Sequence, residues 1–109
     1  MIMAITRTKH IFINQPWRIR LELNPFGDGL SAAELSAATA KKIQYQKPSS
    51  SAWIDLTATQ EASSTILYAD ISSAVNDTIG IWKFRALCTF SGDVGTVPGV
   101  TAEQIVSAR

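Results

Sequence analysis

The chain has few of the residues on which disulfide scaffolds, membrane spans and charged binding surfaces depend. One of its 109 residues is cysteine and one is histidine. The single cysteine, Cys88, cannot form a disulfide within the chain, which excludes a disulfide scaffold. No uninterrupted apolar run approaches the roughly 20 residues that span a bilayer as a helix. Ten basic and nine acidic residues leave a net charge of +1, so charge predicts neither a nucleic-acid nor a membrane partner.

The N-terminal segment lacks the features of a secretory signal. Its apolar patch is too short for a signal-peptide core, and the basic residues follow that patch instead of preceding it. We therefore expect the protein to be made in a cytoplasm and to remain there. The triplet Asn76-Asp77-Thr78 matches the N-glycosylation pattern. Without an export signal we interpret this triplet as a turn.

Candidate catalytic and metal-binding residues are scarce. Any Ser–His–Asp arrangement would have to use His10, and no nucleophile-elbow or zinc-ligand spacing is present. NPFGDGLSAAEL has the length of a calcium loop, but its twelfth position is Leu35, where a carboxylate would be required. We expect His10 to lie at the surface or at a sheet edge and Cys88 to belong to the core, a reactive thiol being the alternative. The sequence predicts no enzyme, no cofactor and no metal.

The commonest pattern in the sequence is an alternation of apolar and polar residues with a period of two. In WRIRLEL, four apolar residues point to one side of an extended chain while Arg18, Arg20 and Glu22 point to the other. This arrangement is typical of a half-buried strand. KKIQYQKP repeats it, and its strand should end at Pro48, which has no amide hydrogen to donate. AWIDLTAT and STILYADI follow at a spacing that favours neighbouring antiparallel strands.

Two further strands are predicted near the ends of the chain, one near residues 10–14 and one within residues 100–107. With GIWKFRALCTF and the four strands described above, these make about seven short strands separated by turn signals. This number and spacing predict an all-β antiparallel sandwich. Residues 10–109 are expected to form this domain, after an N-terminal arm of residues 1–9. SAAELSAATAKK is predicted to be a loop with a helical turn, a full helix being the alternative. SGDVGTVPG is predicted to be a hairpin loop.

GIWKFRALCTF is the longest of the predicted strands. Its apolar residues occupy every even position from Trp82 to Phe90, so we expect this strand at the centre of the core. Lys83 and Arg85 point the other way and should lie on the outer surface of the sheet. A solvated strand face is the ordinary interpretation of these cations, and a patch that binds an acidic partner is the alternative.

The three tryptophans raise the alternative of carbohydrate binding, because exposed aromatic rings stack on sugars. Trp17 and Trp82 fall on apolar strand faces, so both are predicted to belong to the core. Trp53 lies beside a serine-rich turn and is the candidate for a stacking platform. Exposure of Trp53 beside a second aromatic ring would favour sugar binding, and burial of all three tryptophans would count against it.

The order of several landmarks resembles a family of tailed-phage proteins. AELSAATAKKIQYQKP is followed by AWIDLTA, ILYADI and the Gly-x-Trp strand GIWKFRALCTF. This succession is similar to the immunoglobulin-like domain at the N-terminus of phage baseplate upper proteins and in related small virion proteins. It runs from about Arg18 to Val106. One departure is the SSS turn, where the family often has an acidic residue and glycine. The landmarks are Leu35, Ser36, Lys47, Pro48, Trp53, Tyr68, Gly80 and Trp82.

The resemblance implies an immunoglobulin-like β-sandwich that serves as a non-enzymatic virion structural protein in the tail, the baseplate or an adaptor. Such a protein assembles in multiple copies with other virion proteins and needs no cofactor. A capsid decoration protein and a carbohydrate-binding module for host adhesion are the alternatives. We hypothesise that Ile2, Met3 and Ile5, with Ile11 and Ile13 of the edge strand, contact a neighbouring subunit. The alternative for residues 1–6 is a disordered terminus.

Overall fold

The computed structural model describes the backbone of residues 3–24, 27, 31–90 and 93–108, and the side chains of residues 10–24, 27, 31–90 and 102–108. Within these residues the chain forms eight strands and one short helix. The strands are β1 (Met3–Phe12), β2 (Trp17–Glu22), β3 (Ala40–Gln46), β4 (Ile54–Thr57), β5 (Thr59–Gln60), β6 (Ile66–Ile71), β7 (Gly80–Phe90) and β8 (Asp93–Ser107), and the helix is α1 (Ala32–Ala37).

The strands form two sheets that pack face to face. The five-stranded sheet has the order β1-β8-β7-β3-β4, and the three-stranded sheet has the order β2-β6-β5. Neighbouring strands are antiparallel except for β1 and β8, which run parallel. The predicted all-β sandwich is confirmed. In immunoglobulin lettering, β8-β7-β3-β4 correspond to strands G, F, C and C′, and β2-β6-β5 correspond to strands B, E and D.

The core lies between the two sheets and is filled by the alternating apolar residues. β7 is the middle strand of the five-stranded sheet, and its even-numbered residues from Trp82 to Cys88 are buried, as predicted. The apolar residues of WRIRLEL are buried in the opposite sheet. Trp17 and Phe84 join the sheets through an edge-to-face contact, with 5.4 Å between ring centroids. The period of two therefore determines which side chains meet across the core.

AWIDLTAT divides between the two sheets, which raises the number of strands above the prediction. β4 pairs with β3 in one sheet, whereas β5 pairs with β6 in the other. Ala58 lies between β4 and β5, is buried, and donates its amide hydrogen to the carbonyl of Lys41. The antiparallel neighbours of STILYADI are therefore β2 and β5. The predicted pairing with the whole of AWIDLTAT is wrong, because that stretch changes sheets at Ala58.

The C-terminal strand begins earlier than predicted. β8 starts at Asp93, so most of the stretch predicted to be a hairpin loop is strand. The pairing with β7 is irregular, because Arg85 lies opposite Thr101 while Leu87 lies opposite Thr96. The intervening residues of β8 form a bulge that includes Pro98, which cannot donate to a regular ladder. Pairing with β1 begins at Val100.

The N-terminal third of the chain contains strands and a short helix in addition to loops. Met3–Lys9, expected to lie in an arm, belong to β1 at the edge of the five-stranded sheet. α1 has six residues, in agreement with the predicted helical turn. Ser31 and Glu34 form a capping box at its start, which satisfies amide groups that the helix itself leaves free. No helix in the described part of the chain has the length and apolar character needed to cross a membrane.

Candidate functional site

The residues predicted to contact a neighbouring subunit are divided between the core and the edge of the five-stranded sheet. Ile11 is 0% exposed, and Ile13 is partly buried against the same core. Ile11 therefore packs within its own chain and is removed from the predicted contact. Met3 and Ile5, predicted to lie in an arm, belong to β1 at the edge of the five-stranded sheet. Ile2 lies outside the described residues.

His10 and Cys88 occupy different environments. His10 is exposed, and its ring lies 5.2 Å from the ring of Phe12, measured between centroids. Cys88 is buried in the core, as predicted, and burial raises the pKa of its thiol. A protonated, buried thiol is a poor nucleophile. In the described part of the chain, no three His, Cys, Asp or Glu side chains are grouped to hold a metal ion.

The three tryptophans take two structural roles. Trp17 and Trp82 are buried in the core, as predicted. Trp53 is partly exposed, and the guanidinium carbon of Arg85 lies 4.0 Å from its ring centroid. This distance is that of a cation–π contact. Arg85 thus covers one face of the tryptophan that was the candidate sugar platform, and among the described aromatic rings none pairs with Trp53.

Arg85 also begins a chain of polar contacts across the outer face of the five-stranded sheet. Its Nε donates to Oε1 of Gln44 over 2.8 Å, and Nε2 of Gln44 donates to Oδ1 of Asp55 over 2.8 Å. Lys42 Nζ lies 3.3 Å from the other carboxylate oxygen of Asp55. The hydrogen bond from Gln44, followed by that from Lys42, lowers the pKa of Asp55. These contacts extend over β7, β3 and β4.

The outer face of the three-stranded sheet carries charges that are paired within the chain. Arg18 donates to both carboxylate oxygens of Asp70, over 2.7 and 3.3 Å, and its guanidinium lies 4.2 Å from the ring centroid of Tyr68. Arg20 donates to both oxygens of Glu61, over 2.6 and 2.9 Å. These hydrogen bonds lower the pKa of Asp70 and of Glu61. The charges of this face are satisfied in a single copy of the chain.

A different arrangement occupies the outer face of β7 and β8. We call Ile81, Lys83, Glu103 and Ile105 the β7–β8 patch. Ile81 lies opposite Ile105 and Lys83 lies opposite Glu103 in the antiparallel register. Each isoleucine is 49% exposed. Within the described part of the chain, Lys83 and Glu103 take part in none of the salt bridges and in none of the side-chain hydrogen bonds. The patch combines exposed apolar surface with two unpaired, opposite charges.

Four landmarks of the phage resemblance meet at one corner of the sandwich. Gly80 has a φ of +133°, and a Cβ atom built there would lie 2.9 Å from Cγ and 3.0 Å from Cβ of Pro48. Lys47 Nζ lies 5.4 Å from the ring centroid of Trp82 and 2.7 Å from Oδ1 of Asp77. The hydrogen bond from Lys47 is the main reason why the pKa of Asp77 is lowered. Lys-Pro and Gly-x-Trp are thus two halves of one packing contact.

Trp82 also fixes the loop that precedes β7. Its indole Nε1 donates to the carbonyl of Thr78 over 2.8 Å. Immunoglobulin-like domains often have a tyrosine near the start of strand F, and its hydroxyl binds the backbone a few residues upstream. Trp82 occupies the corresponding place in β7 and makes the corresponding bond with a ring nitrogen.

Asn76 anchors the same loop to the other end of the chain. Its side chain is 0% exposed, and Nδ2 donates to the carbonyls of Phe12 and Gln15, over 2.9 Å in each case. The backbone carbonyl of Asn76 accepts from the amide of Asn14 over 2.7 Å. Nδ2 is the atom that would carry a glycan, and both of its hydrogens are in use. The burial of Asn76 therefore argues against glycosylation, and the triplet lies in the loop that follows the turn at residues 73–75 rather than in the turn itself.

Sequence reasoning missed the Arg85–Trp53 contact and the role of Asn76. The sequence did contain a signal for the polar contacts around Arg85. Gln44, Asp55 and Arg85 all alternate with apolar residues, which indicates the polar faces of their strands. Asn76 gives no such signal, since its two acceptors are 64 and 61 residues away along the chain. No model of a known protein family matches the chain, and none of the curated proteins compared with it matches either.

Proposed function

We propose that the protein is a non-enzymatic structural component of a bacteriophage virion, located in the tail, the baseplate or an adaptor and present in multiple copies. The observation that carries this proposal is the corner formed by Lys47, Pro48, Gly80 and Trp82. These landmarks are defined by sequence order alone, and they lie in contact although more than thirty positions separate the two pairs. A sequence signature whose members meet in space behaves as a description of packing, which supports the resemblance.

The other landmarks of the resemblance also have structural roles. Leu35 is fully buried, and Ser36 donates its hydroxyl hydrogen to Oε1 of Gln60 over 2.9 Å. Trp53 and Tyr68 each support an arginine on an outer sheet face. Such residues maintain a scaffold and its surfaces. They suit a protein that acts by docking with other subunits, because docking depends on the shape and charge of those surfaces.

The edge of the five-stranded sheet is the proposed contact with other virion proteins. β1 is an edge strand, so one side of its backbone has no partner strand in the described chain. An edge of this kind can accept a strand from a neighbouring subunit. Ile2, Met3, Ile5 and Ile13 remain the residues proposed for this contact, and Ile11 is excluded by its burial.

The proposal is tested by immunogold electron microscopy of phage particles purified from cells that carry the gene, with an antibody raised against this chain. We expect gold at the tail or baseplate, and peptides of the chain in mass spectra of the same particles. Labelling of the capsid would instead support the capsid decoration alternative. Particles that contain no peptide of the chain, from a lysate in which the soluble fraction contains it, would overturn a structural role.

The carbohydrate-binding alternative has less support. It requires an accessible ring on Trp53, whereas Arg85 lies against one face of that ring. A glycan array provides the direct comparison, with Trp53→Ala as the matched variant. Binding that disappears in Trp53→Ala would restore this alternative.

A further inference from the structure

The β7–β8 patch differs from every other part of the described sheet surfaces in one respect. Lys83 and Glu103 are opposite charges on neighbouring strands, yet neither makes an ion pair within the described chain. On the three-stranded sheet, by contrast, Arg18 and Arg20 each have a carboxylate partner. Directly beside the unpaired charges lie two half-exposed isoleucines. Exposed apolar side chains that are bordered by polar or charged residues are typical of a surface that is covered in an assembly.

We propose that this patch binds a second copy of the same chain, about a two-fold axis that runs between β7 and β8 and parallel to them. Rotation about this axis brings β7 of one copy over β8 of the other. Ile81 of one copy then faces Ile105 of the other, and Lys83 of one copy faces Glu103 of the other. Every contact occurs twice, as an isologous interface requires.

The patch is self-complementary, which indicates a second copy of the chain as its partner. In the register of β7 and β8, one isoleucine lies opposite the other, and the lysine lies opposite the glutamate. A two-fold axis between the strands converts each of these side-by-side pairs into a face-to-face pair. An acidic partner would match Lys83 but would be repelled by Glu103, and a basic partner would be repelled by Lys83. Only a surface with both charges in the same order matches the patch.

The size of the face indicates a weak dimer. The face around the axis includes one further strand on each side of β7 and β8, namely β3 and β1. Strands are spaced about 4.8 Å apart and rise about 3.3 Å per residue, so these four strands cover about 400 Å² over six residues on each copy. Stable interfaces bury about 800 Å² per partner. The Arg85–Trp53 contact borders the patch and provides a polar rim. We therefore expect association only at high protein concentration, such as the local concentration inside a larger assembly.

Charge reversal in sedimentation equilibrium experiments tests the dimer. Lys83→Glu places carboxylates against each other, and Glu103→Lys places ammonium groups against each other, in each case at both symmetry-related positions of the interface. Each variant alone should dimerise at least about tenfold more weakly than the wild type.

An equimolar mixture of the two variants should regain the wild-type affinity as a heterodimer. The carboxylate introduced at position 83 of one chain then faces the ammonium group introduced at position 103 of the other. At the symmetry-related position, the unchanged Glu103 of the first chain faces the unchanged Lys83 of the second. The double variant, which carries both substitutions in one chain, should also dimerise, because its charges are exchanged but remain complementary.

Hydrophobic substitutions give a second test with a matched control. Ile81→Thr and Ile105→Thr should each weaken the dimer, because each removes an apolar contact at both symmetry-related positions. Ile54 is 44% exposed but lies opposite the buried Tyr45 in the register, on the other face of the sheet. Ile54→Thr should therefore leave the affinity unchanged. Circular dichroism of each variant at low concentration establishes that it is folded.

Three results would overturn the dimer. The first is a wild-type chain that remains monomeric up to a concentration of about 1 mM, which corresponds to about −4 kcal/mol of binding free energy. The second is a mixture of the two reversed variants that dimerises no better than either alone, and the third is a loss of affinity in Ile54→Thr equal to that in Ile81→Thr. The dimer does not depend on a virion role. Failure to find the chain in particles would leave these affinities unchanged, and a monomer in solution would leave the particle labelling unchanged.

Discussion

Replacement of Gly80 by alanine should destabilise the fold for two separable reasons. The backbone of Gly80 has a φ of +133°, a conformation that residues other than glycine rarely adopt. The added Cβ would also lie 2.9 Å from Cγ and 3.0 Å from Cβ of Pro48. Both distances are shorter than ordinary van der Waals contact, and the proline ring cannot rotate away as a flexible side chain would.

The magnitude follows from these two causes. A residue held in a sparsely populated backbone region costs about 1–3 kcal/mol. Forcing an extra methyl group into a packed contact costs about 1–3 kcal/mol. We expect Gly80→Ala to lower the free energy of unfolding by about 3–4 kcal/mol, which for a domain of roughly 100 residues lowers the Tm by more than about 10 °C.

Urea unfolding monitored by tryptophan fluorescence measures the loss in the free energy of unfolding, and Gly27→Ala is the matched control. Gly27 also has a positive φ, +78°, but, its chain neighbours aside, no atom of the described residues lies within 4 Å of its added Cβ. Gly27→Ala should cost only about 1 kcal/mol, the backbone share alone. Pro48→Gly removes both crowded atoms, so Gly80→Ala should cost at least about 1 kcal/mol less in that background. Equal costs at the two glycines, or no coupling to Pro48, would refute the reasoning.

Three further changes have defined outcomes. Asn76→Ala removes the hydrogen bonds that Nδ2 donates to Phe12 and Gln15, and in the described chain only the Phe12 carbonyl keeps another donor, the amide of Gln15. The change should lower the free energy of unfolding by about 1–3 kcal/mol in urea titrations; a cost below about 0.5 kcal/mol would contradict the anchoring role, because surface changes have effects of that size. Cys88 should react with a thiol reagent much more slowly in the native protein than in urea, since burial raises the pKa of its thiol; equal rates would contradict its burial. Arginine hydrogen bonds lower the pKa of Asp70 and Glu61, so the stability they provide is present above the ordinary pKa values of 3.8 and 4.5 and is lost as the pH falls through the lowered ones. The Tm should therefore decrease on acidification below those ordinary values, and less so in high salt, which screens exposed pairs; a decrease independent of salt would contradict this cause.

Local patterns predicted most of the strands because alternation depends only on neighbours in the sequence. The odd-numbered residues from Trp17 to Leu23 and the even-numbered residues from Trp82 to Cys88 face the core, as their period of two requires. The break at Ala58 was not predictable in this way, because the chain changes sheets there without a proline or glycine. The start of β8 was missed for the opposite reason. Pro98 and its neighbouring glycines indicate a loop, but a bulge accommodates them inside a strand.

The outer surfaces show a similar division between local and long-range information. Alternation placed Lys83 and Arg85 on the outer face of the sheet, and they lie there. It could not distinguish their roles, which depend on what the neighbouring strands present. Arg85 has Trp53 and Gln44 as partners, whereas Lys83 lies opposite Glu103 and Gln46 and forms no ion pair with Glu103 in the described chain.

The sequence by itself determined the all-β character, the core face of each long strand and the absence of an internal disulfide, because these follow from composition and from a period of two. Tertiary structure alone decided which strands became neighbours. It therefore decided that Pro48 meets Gly80, that Asn76 reaches Phe12, and that Ile81 lies beside Ile105. These contacts join residues far apart in the chain, and their geometry depends on sheet order and register, which local patterns do not contain.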